Sequence, residues 1–219
     1  MSVLAIAHRA GNSLAGLHAA NALGVDVIEC DVHEHRGRLE VRHLKTAGPL
    51  PFLWDRWELA SAYAPRLGLE EVLEADIRGA RFMLDIKGRR SSTARLVADL
   101  LHQRSHRDLL VCGRWWPSVE AVAGFPLTRA VLSARNLKEL SRLRSRLAQG
   151  PPVHGVSVHR SLLSSALVDE LHRHVDLVMT WPVNDVEALE AMLEIGVSGI
   201  ISDELPVLAE LVVRQQGTG

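Results

Sequence analysis

Eight short apolar runs recur along this chain, and between them lie segments whose leucines, alanines and valines repeat at helical spacing. The runs cover residues 3–8, 25–32, 82–87, 109–112, 127–132, 156–159, 177–181 and 199–202, each of strand length and several rich in valine and isoleucine. Helical periodicity occupies 14–23, 93–104, 137–147, 162–172, 186–195 and 206–214, with about two turns more at 69–75. Ser13, Asn136, Ser161 and Asp185 stand where helix starts need a side-chain acceptor, and Gly24 and Gly196 where a left-handed residue ends a helix. Strands that alternate with helices pair in parallel, and eight such units close on themselves. The expected fold is therefore α/β, a (β/α)8 TIM barrel, with an open doubly wound sheet as the alternative. At 219 residues the chain has room for one domain, 1–219. One connection departs from the alternation: the stretch from about 33 to 68 holds an Arg36-Gly37-Arg38 turn, an extended return through Leu39–His43 and a segment bearing Pro49, Trp54 and Trp57. In a barrel this excursion lies over the catalytic rim, with the two tryptophans as its own small core or, as the alternative, in contact with a substrate.

Composition narrows the function. A hydrophobic share of 47% with 23% charged residues is that of a globular protein, and a net charge of −1 supplies no basic field for nucleic acid. Cys30 and Cys112 both fall in apolar runs and read as reduced core residues. The apolar start, 3–7, is too short for a signal peptide, and no apolar run is long enough to span a membrane. A cytoplasmic protein is expected, with no sign of its oligomeric state.

The second run, Val25-Asp26-Val27-Ile28-Glu29-Cys30-Asp31-Val32, carries the chemistry. Strand alternation puts Glu29 and Asp31 on one side and Ile28, Cys30 and Val32 on the other. Two adjacent carboxylates that lose hydration repel each other unless a cation compensates. Hard oxygen donors without paired thiolates favour Mg²⁺ or Ca²⁺ over zinc. The alternative is an exposed strand end paired with arginine or lysine. Other polar residues gather at run ends: His8-Arg9 after the first, Asp85-x-Lys87 in the third, Trp181 in the seventh and His43 closing the excursion's first return. His18, His102, His106, His172 and His174 fall on or beside helical segments and read as surface residues.

The run IAHRAGNSLAGLHAANALGVDVIECDVHEHRGRLEVRH resembles the opening of the glycerophosphodiester phosphodiesterase family: a strand ending in HRG, a helix, IExDV, then a histidine. LGLEEVL, MLDIKG and VMTWPVNDVEALEAMLEIGVSGIISDELP resemble that family's LEEVL, EIK strand and WTVND helix followed by GVDGIITD. The resemblance implies a (β/α)8 barrel that uses Mg²⁺ or Ca²⁺ to hydrolyse a small-molecule glycerophosphodiester to glycerol 3-phosphate and an alcohol. Carried over, the catalytic histidines fall on His8 and His43, the metal carboxylates on Glu29, Asp31 and Asp85, the phosphate-binding cations on Arg9 and Lys87, and the active-site tryptophan on Trp181. In the family the substrate's own glycerol hydroxyl is held to attack phosphorus, giving a cyclic phosphate that water opens. Four positions depart from the pattern. Gly11 stands where a glutamate is usual, Leu44 where an aspartate follows the second histidine, Asp85 where the third ligand is glutamate, and Pro182 where threonine follows the tryptophan. Leu44 implies that His43 lacks an orienting carboxylate. Competing expectations are a phosphodiesterase acting on lysophospholipids, a catalytically weak or inactive barrel that binds phosphorylated metabolites, and an isomerase or aldolase with Lys87 as a Schiff-base lysine.

Overall fold

The computed structural model describes residues 2–217 except 48–49, 56–57, 90, 105–107 and 126. In chain order its strands are β1 (Leu4–Ala7), β2 (Val27–His35), β3 (Arg38–Val41), β4 (Lys45–Thr46), β5 (Phe52–Asp55), β6 (Glu58–Ser61), β7 (Arg81–Ile86), β8 (Leu109–Gly113), β9 (Thr128–Ala134), β10 (Gly155–His159), β11 (Leu177–Trp181) and β12 (Gly199–Ser202). The helices are α1 (Leu14–Leu23), α2 (Leu69–Ala75), α3 (Ser91–Arg104), α4 (Trp116–Val122), α5 (Leu137–Gln149), α6 (Ser165–His172), α7 (Val186–Glu194) and α8 (Leu205–Gly217). β1, β2, β7, β8, β9, β10, β11 and β12 pair in parallel in that order, and β12 returns to β1 from Gly199 beside Leu4 to Ser202 beside Ala7. The sheet is thus a closed eight-stranded parallel barrel with helices between its strands, a (β/α)8 TIM barrel, and not an open sheet.

Alternation along each strand divides the apolar residues between two layers. Ile6, Val27, Met83, Leu110, Cys112, Val131, Leu177, Met179 and Ile201 fill the barrel interior. A larger layer packs the outer face against the helices, with Ile28, Cys30, Val32, Phe82, Leu84 and Leu132 among its strand residues. Phe82, Leu84 and Leu132 are fully buried there, each adding about 2–3 kcal/mol on apolar area alone. Helix starts follow the caps: Ser13 accepts from the Gly16 N–H at 3.0 Å and Asn136 from the Glu139 N–H at 2.9 Å. Gly24 closes α1 at φ 78°. Ser161 does not cap; it lies in a short 3-10 turn, and Ser164 accepts from the Leu167 N–H to start α6.

The excursion is more ordered than the sequence implies. β2 continues to His35 and folds back through Arg36-Gly37, both at positive φ, into the antiparallel β3. A separate antiparallel sheet then forms from β4, β5 and β6. Leu53, 1% exposed, is its buried residue, whereas Trp54, one position on and so on the opposite face, is 44% exposed with the Lys45 ammonium 5.3 Å from its ring centroid. Trp54 is therefore not the core of this sheet. Trp57 and His106 lie outside the described residues. Helix α4 is a further addition, placed where periodicity gave no signal.

Candidate active site

β2 and β7 are neighbours, and their register sets Asp31 directly beside Asp85 and Glu29 beside Met83. Asp85 therefore joins the pair from the adjacent strand and not from across the barrel, because the strand after β2 in the sheet is the next long parallel strand in the chain. One oxygen from each of Glu29, Asp31 and Asp85 lies within 4.8 Å of the others. Glu29 and Asp31 are 2% and 0% exposed. Two clamps fix the pair. Asn12 accepts from the Asp31 N–H and donates its amide to Asp31 Oδ2, both at 2.8 Å. The Arg9 N–H donates to Glu29 Oε2 at 2.6 Å, which Arg9 achieves in the left-handed region at φ 56°.

Charge at this cluster does not balance. The Lys87 ammonium lies 2.5 Å from Asp31 Oδ1 and pairs with Asp85, and Arg9 Nε stands 3.8 Å from Asp31 Oδ2. Burial, then the neighbouring Asp31, pushes the Glu29 carboxyl up to about 7. Asp31 goes the other way: burial opposes ionisation, but Lys87 and Asn12 overcome it and hold the carboxyl below its usual range. Lys87 itself is desolvated, yet Asp85, Asp31 and Glu29 raise its basicity. A lysine so held stays charged, which removes the Schiff-base reading. The exposed-strand-end reading is likewise corrected, since these carboxylates are buried inside the barrel mouth. Three hard carboxylate donors, of which Glu29 resists ionisation without further positive charge, fit a divalent cation of the Mg²⁺ or Ca²⁺ type.

One histidine stands beside the cluster and a second is carried on the excursion. His8 follows β1, its Nδ1 2.8 Å from Asp203 Oδ1 and its Nε2 4.0 Å from Glu29 Oε2. Burial works against its protonation, but the Asp203 hydrogen bond and the charges of Glu29 and Asp203 raise its pKa overall. Asp203, chiefly through that bond, falls to about 2, and Asn184 donates to its other oxygen at 3.3 Å. His43 is placed by the excursion: the Arg42 N–H donates to the Asp31 carbonyl at 3.0 Å, so the next residue emerges beside the carboxylate strand. Its Nδ1 lies 2.7 Å from Asp55 Oδ2 on β5. The expectation that His43 lacks an orienting carboxylate is therefore corrected: Leu44 turns into the protein, 8% exposed, and Asp55 takes the role from twelve residues away. Both imidazoles are thus held by a carboxylate at Nδ1.

Sequence reading missed Asn12, Asp55 and Asp203. Asn12 and Asp203 sit inside motifs that were visible, but their partners are set only by tertiary contact. Gly11 has a steric reason: a Cβ there would lie 2.7 Å from Cys30 Cβ and 3.1 Å from the Glu29 carbonyl, so no side chain fits. Trp181, at the end of β11, packs on the interior layer and meets the His159 ring edge-on at 5.1 Å.

The fold and this mouth together define a (β/α)8 barrel with a carboxylate cluster and His8 at the carboxyl ends of its strands and a second histidine, His43, on the excursion after β2. Solved structures share the fold. A phosphodiesterase from Oleispira antarctica, in complex with the product sn-glycerol-3-phosphate, is 17% identical with a TM-score of 0.75, over 96% of each chain. A glycerophosphodiester phosphodiesterase from Thermotoga maritima is 17% identical with a TM-score of 0.74, over 98% of this chain and 99% of that one. Another, from Parabacteroides distasonis, is 20% identical with a TM-score of 0.71, over 99% and 100%. No protein-family model and no curated protein matches the chain. Among the described residues no helix is long and apolar enough to cross a membrane.

Proposed function

We propose that this chain is a metal-dependent glycerophosphodiester phosphodiesterase that releases glycerol 3-phosphate and an alcohol. The observation that carries the reading is the Glu29–Asp31–Asp85 cluster with His8 beside it and His43 on the excursion, each histidine with a carboxylate at Nδ1. A divalent cation held by Glu29, Asp31 and Asp85 would supply Lewis acidity to the phosphoryl oxygens. Arg9 and Lys87 add fixed positive charge at the same mouth, suited to the phosphodiester anion. The glycerol 2-hydroxyl attacks phosphorus and gives its proton to one imidazole Nε2; the departing alcohol oxygen takes a proton from the other. Water then opens the cyclic phosphate with the two roles exchanged. His8 and His43 perform these transfers, with Asp203 and Asp55 keeping each ring in the tautomer that leaves Nε2 available. An inactive barrel was suggested by Leu44 and Gly11, and both now have structural reasons compatible with catalysis.

The test is release of glycerol 3-phosphate from glycerophosphocholine and glycerophosphoethanolamine with Mg²⁺ or Ca²⁺, repeated in excess EDTA, with a lysophospholipid as comparison. Turnover that EDTA abolishes is expected. Absence of turnover with every diester and either metal defeats the proposal.

A further inference from the structure

Around the rim from the carboxylates the charge changes sign. β8, β9 and β10 are adjacent, and the residue following each is an arginine: Arg114 after Gly113, Arg135 after Ala134 and Arg160 after His159. Arg89, two residues beyond Lys87, extends the series to β7 and lies over the Trp115 ring at 5.1 Å. Leu110, Cys112 and Val131 face the interior, so Arg114 and Arg135 keep the inward parity of their strands. Val156 and Val158 face the helices, which gives His159 the inward parity of β10, while Arg160 opens the 3-10 turn that follows and is not set by that parity. His159 touches Trp181, and the arc therefore runs from Lys87 to the tryptophan at the end of β11.

Of the three arginines after β8, β9 and β10, one is neutralised where it stands and two are not. Glu139, in the first turn of α5, pairs with Arg114 and accepts the Arg135 N–H at 2.7 Å. Among the described residues, Arg135 and Arg160 form no ion pair, and both are exposed. Burial, then Arg160 and Arg135, pulls the His159 imidazole below its usual pKa, a sign of positive potential in the mouth. The chain as a whole has a net charge of −1, so this is local concentration and not general basicity. A phosphodiester carries one negative charge, and Arg9 and Lys87 already stand at its position. Further guanidinium groups on successive strands are more than a neutral alcohol requires, and the fork of arginine suits a second phosphoryl group.

We infer that this arc is a subsite for an anionic substituent on the alcohol half of the diester, so that the preferred substrates are glycerophosphodiesters of phosphorylated polyols. The inference rests on the proposed activity. The aromatic faces of Trp115 and Trp181 would border the carbon skeleton while Arg135 and Arg160 take the phosphate.

A matched pair of ligands tests it without requiring turnover. Calorimetry should show inositol 4-phosphate binding at least about tenfold more tightly than inositol, with the difference lost in Arg135→Gln/Arg160→Gln. Kinetically, glycerophosphoinositol 4-phosphate should have a KM about tenfold below that of glycerophosphoinositol, and the double variant should erase the ratio. Equal KM values in the parent overturn the subsite while leaving the activity standing. Arginine-dependent binding without turnover of either diester supports the subsite and defeats the activity. Arginine-dependent binding to phosphatidylglycerol vesicles, with no preference between the soluble ligands, overturns the inference in favour of a membrane surface.

Discussion

Gly11 offers a measurement that depends on no assumption about substrate. It is buried in the short turn at 10–12, pressed against β2. An added Cβ would sit 2.7 Å from Cys30 Cβ and 3.1 Å from the Glu29 carbonyl oxygen. Carbon atoms pack best at about 3.5–4.0 Å, so the methyl group overlaps its neighbour by about 1 Å. Cys30 lies on a central barrel strand, fully buried, and cannot retreat. Overpacking of this kind costs about 1–3 kcal/mol. For a chain of this length each kcal/mol lowers Tm by about 2–4 °C, so Gly11→Ala should melt about 2–12 °C below the parent. The strain falls on the residue before Asn12 and on the backbone of Glu29, so metal binding should weaken as well. In Gly11→Ala/Cys30→Gly the clash is gone and the double variant should be less destabilised than the two changes summed. Calorimetric melting in EDTA provides the numbers. A Gly11→Ala melting temperature within about 1 °C of the parent refutes the steric reasoning.

Asp55→Asn should lower kcat for a glycerophosphodiester by less than His43→Gln does, the latter costing about a hundredfold or more, and should alter the pH profile; an unchanged kcat and profile would show the carboxylate idle. Asp85→Asn should abolish tight binding of Mg²⁺ and Ca²⁺ in calorimetry while Asp85→Glu retains it, and parental affinity in Asp85→Asn removes Asp85 from the ligand set. In metal-free protein Glu29 keeps its proton in the folded state from its ordinary 4.5 up to about 7, where the unfolded chain has lost it, so its stabilising contribution is present below pH 4.5 and fades as pH rises through 7. Glu29→Gln should therefore melt above the parent at roughly pH 8 in EDTA, with the gap closing toward roughly pH 5, and equal melting temperatures at the higher pH refute the shift.

The barrel could be read in advance because parallel strands buried on both faces are written as continuous apolar runs, and such runs survive without any knowledge of their partners. The seven residues of α4 could not: it begins at Trp116-Pro117 with no side-chain cap, and its apolar positions are too few to establish a period. Alternation made Glu29 and Asp31 visible as a pair, and Asp85 and the histidines followed from their places at run ends. The groups that hold those residues were invisible for one reason. His8 meets Asp203 across 195 positions and Asn12 meets Asp31 across 19, contacts that no local pattern encodes. Leu44 misled because its neighbour in sequence was asked to do what β5 does in space.

The excursion enters and leaves the barrel at one point. Glu40 and Gly68 face each other in an isolated antiparallel bridge, and the Val41 N–H donates to the Leu67 carbonyl at 3.0 Å. His43 and Asp55 both lie beyond that neck, whereas Glu29, Asp31, Asp85 and His8 belong to the barrel. The chain between the two sides of the neck is therefore a separable cassette: one of the two histidines proposed to transfer protons could be exchanged, with its carboxylate partner, in a single replacement that leaves every barrel strand and the Glu29, Asp31 and Asp85 carboxylates untouched. Replacing residues 43–66 with a short glycine-containing turn should give a barrel that melts cooperatively and still titrates with metal but no longer turns over diester, and a variant that fails to fold would show that the cassette is structural after all.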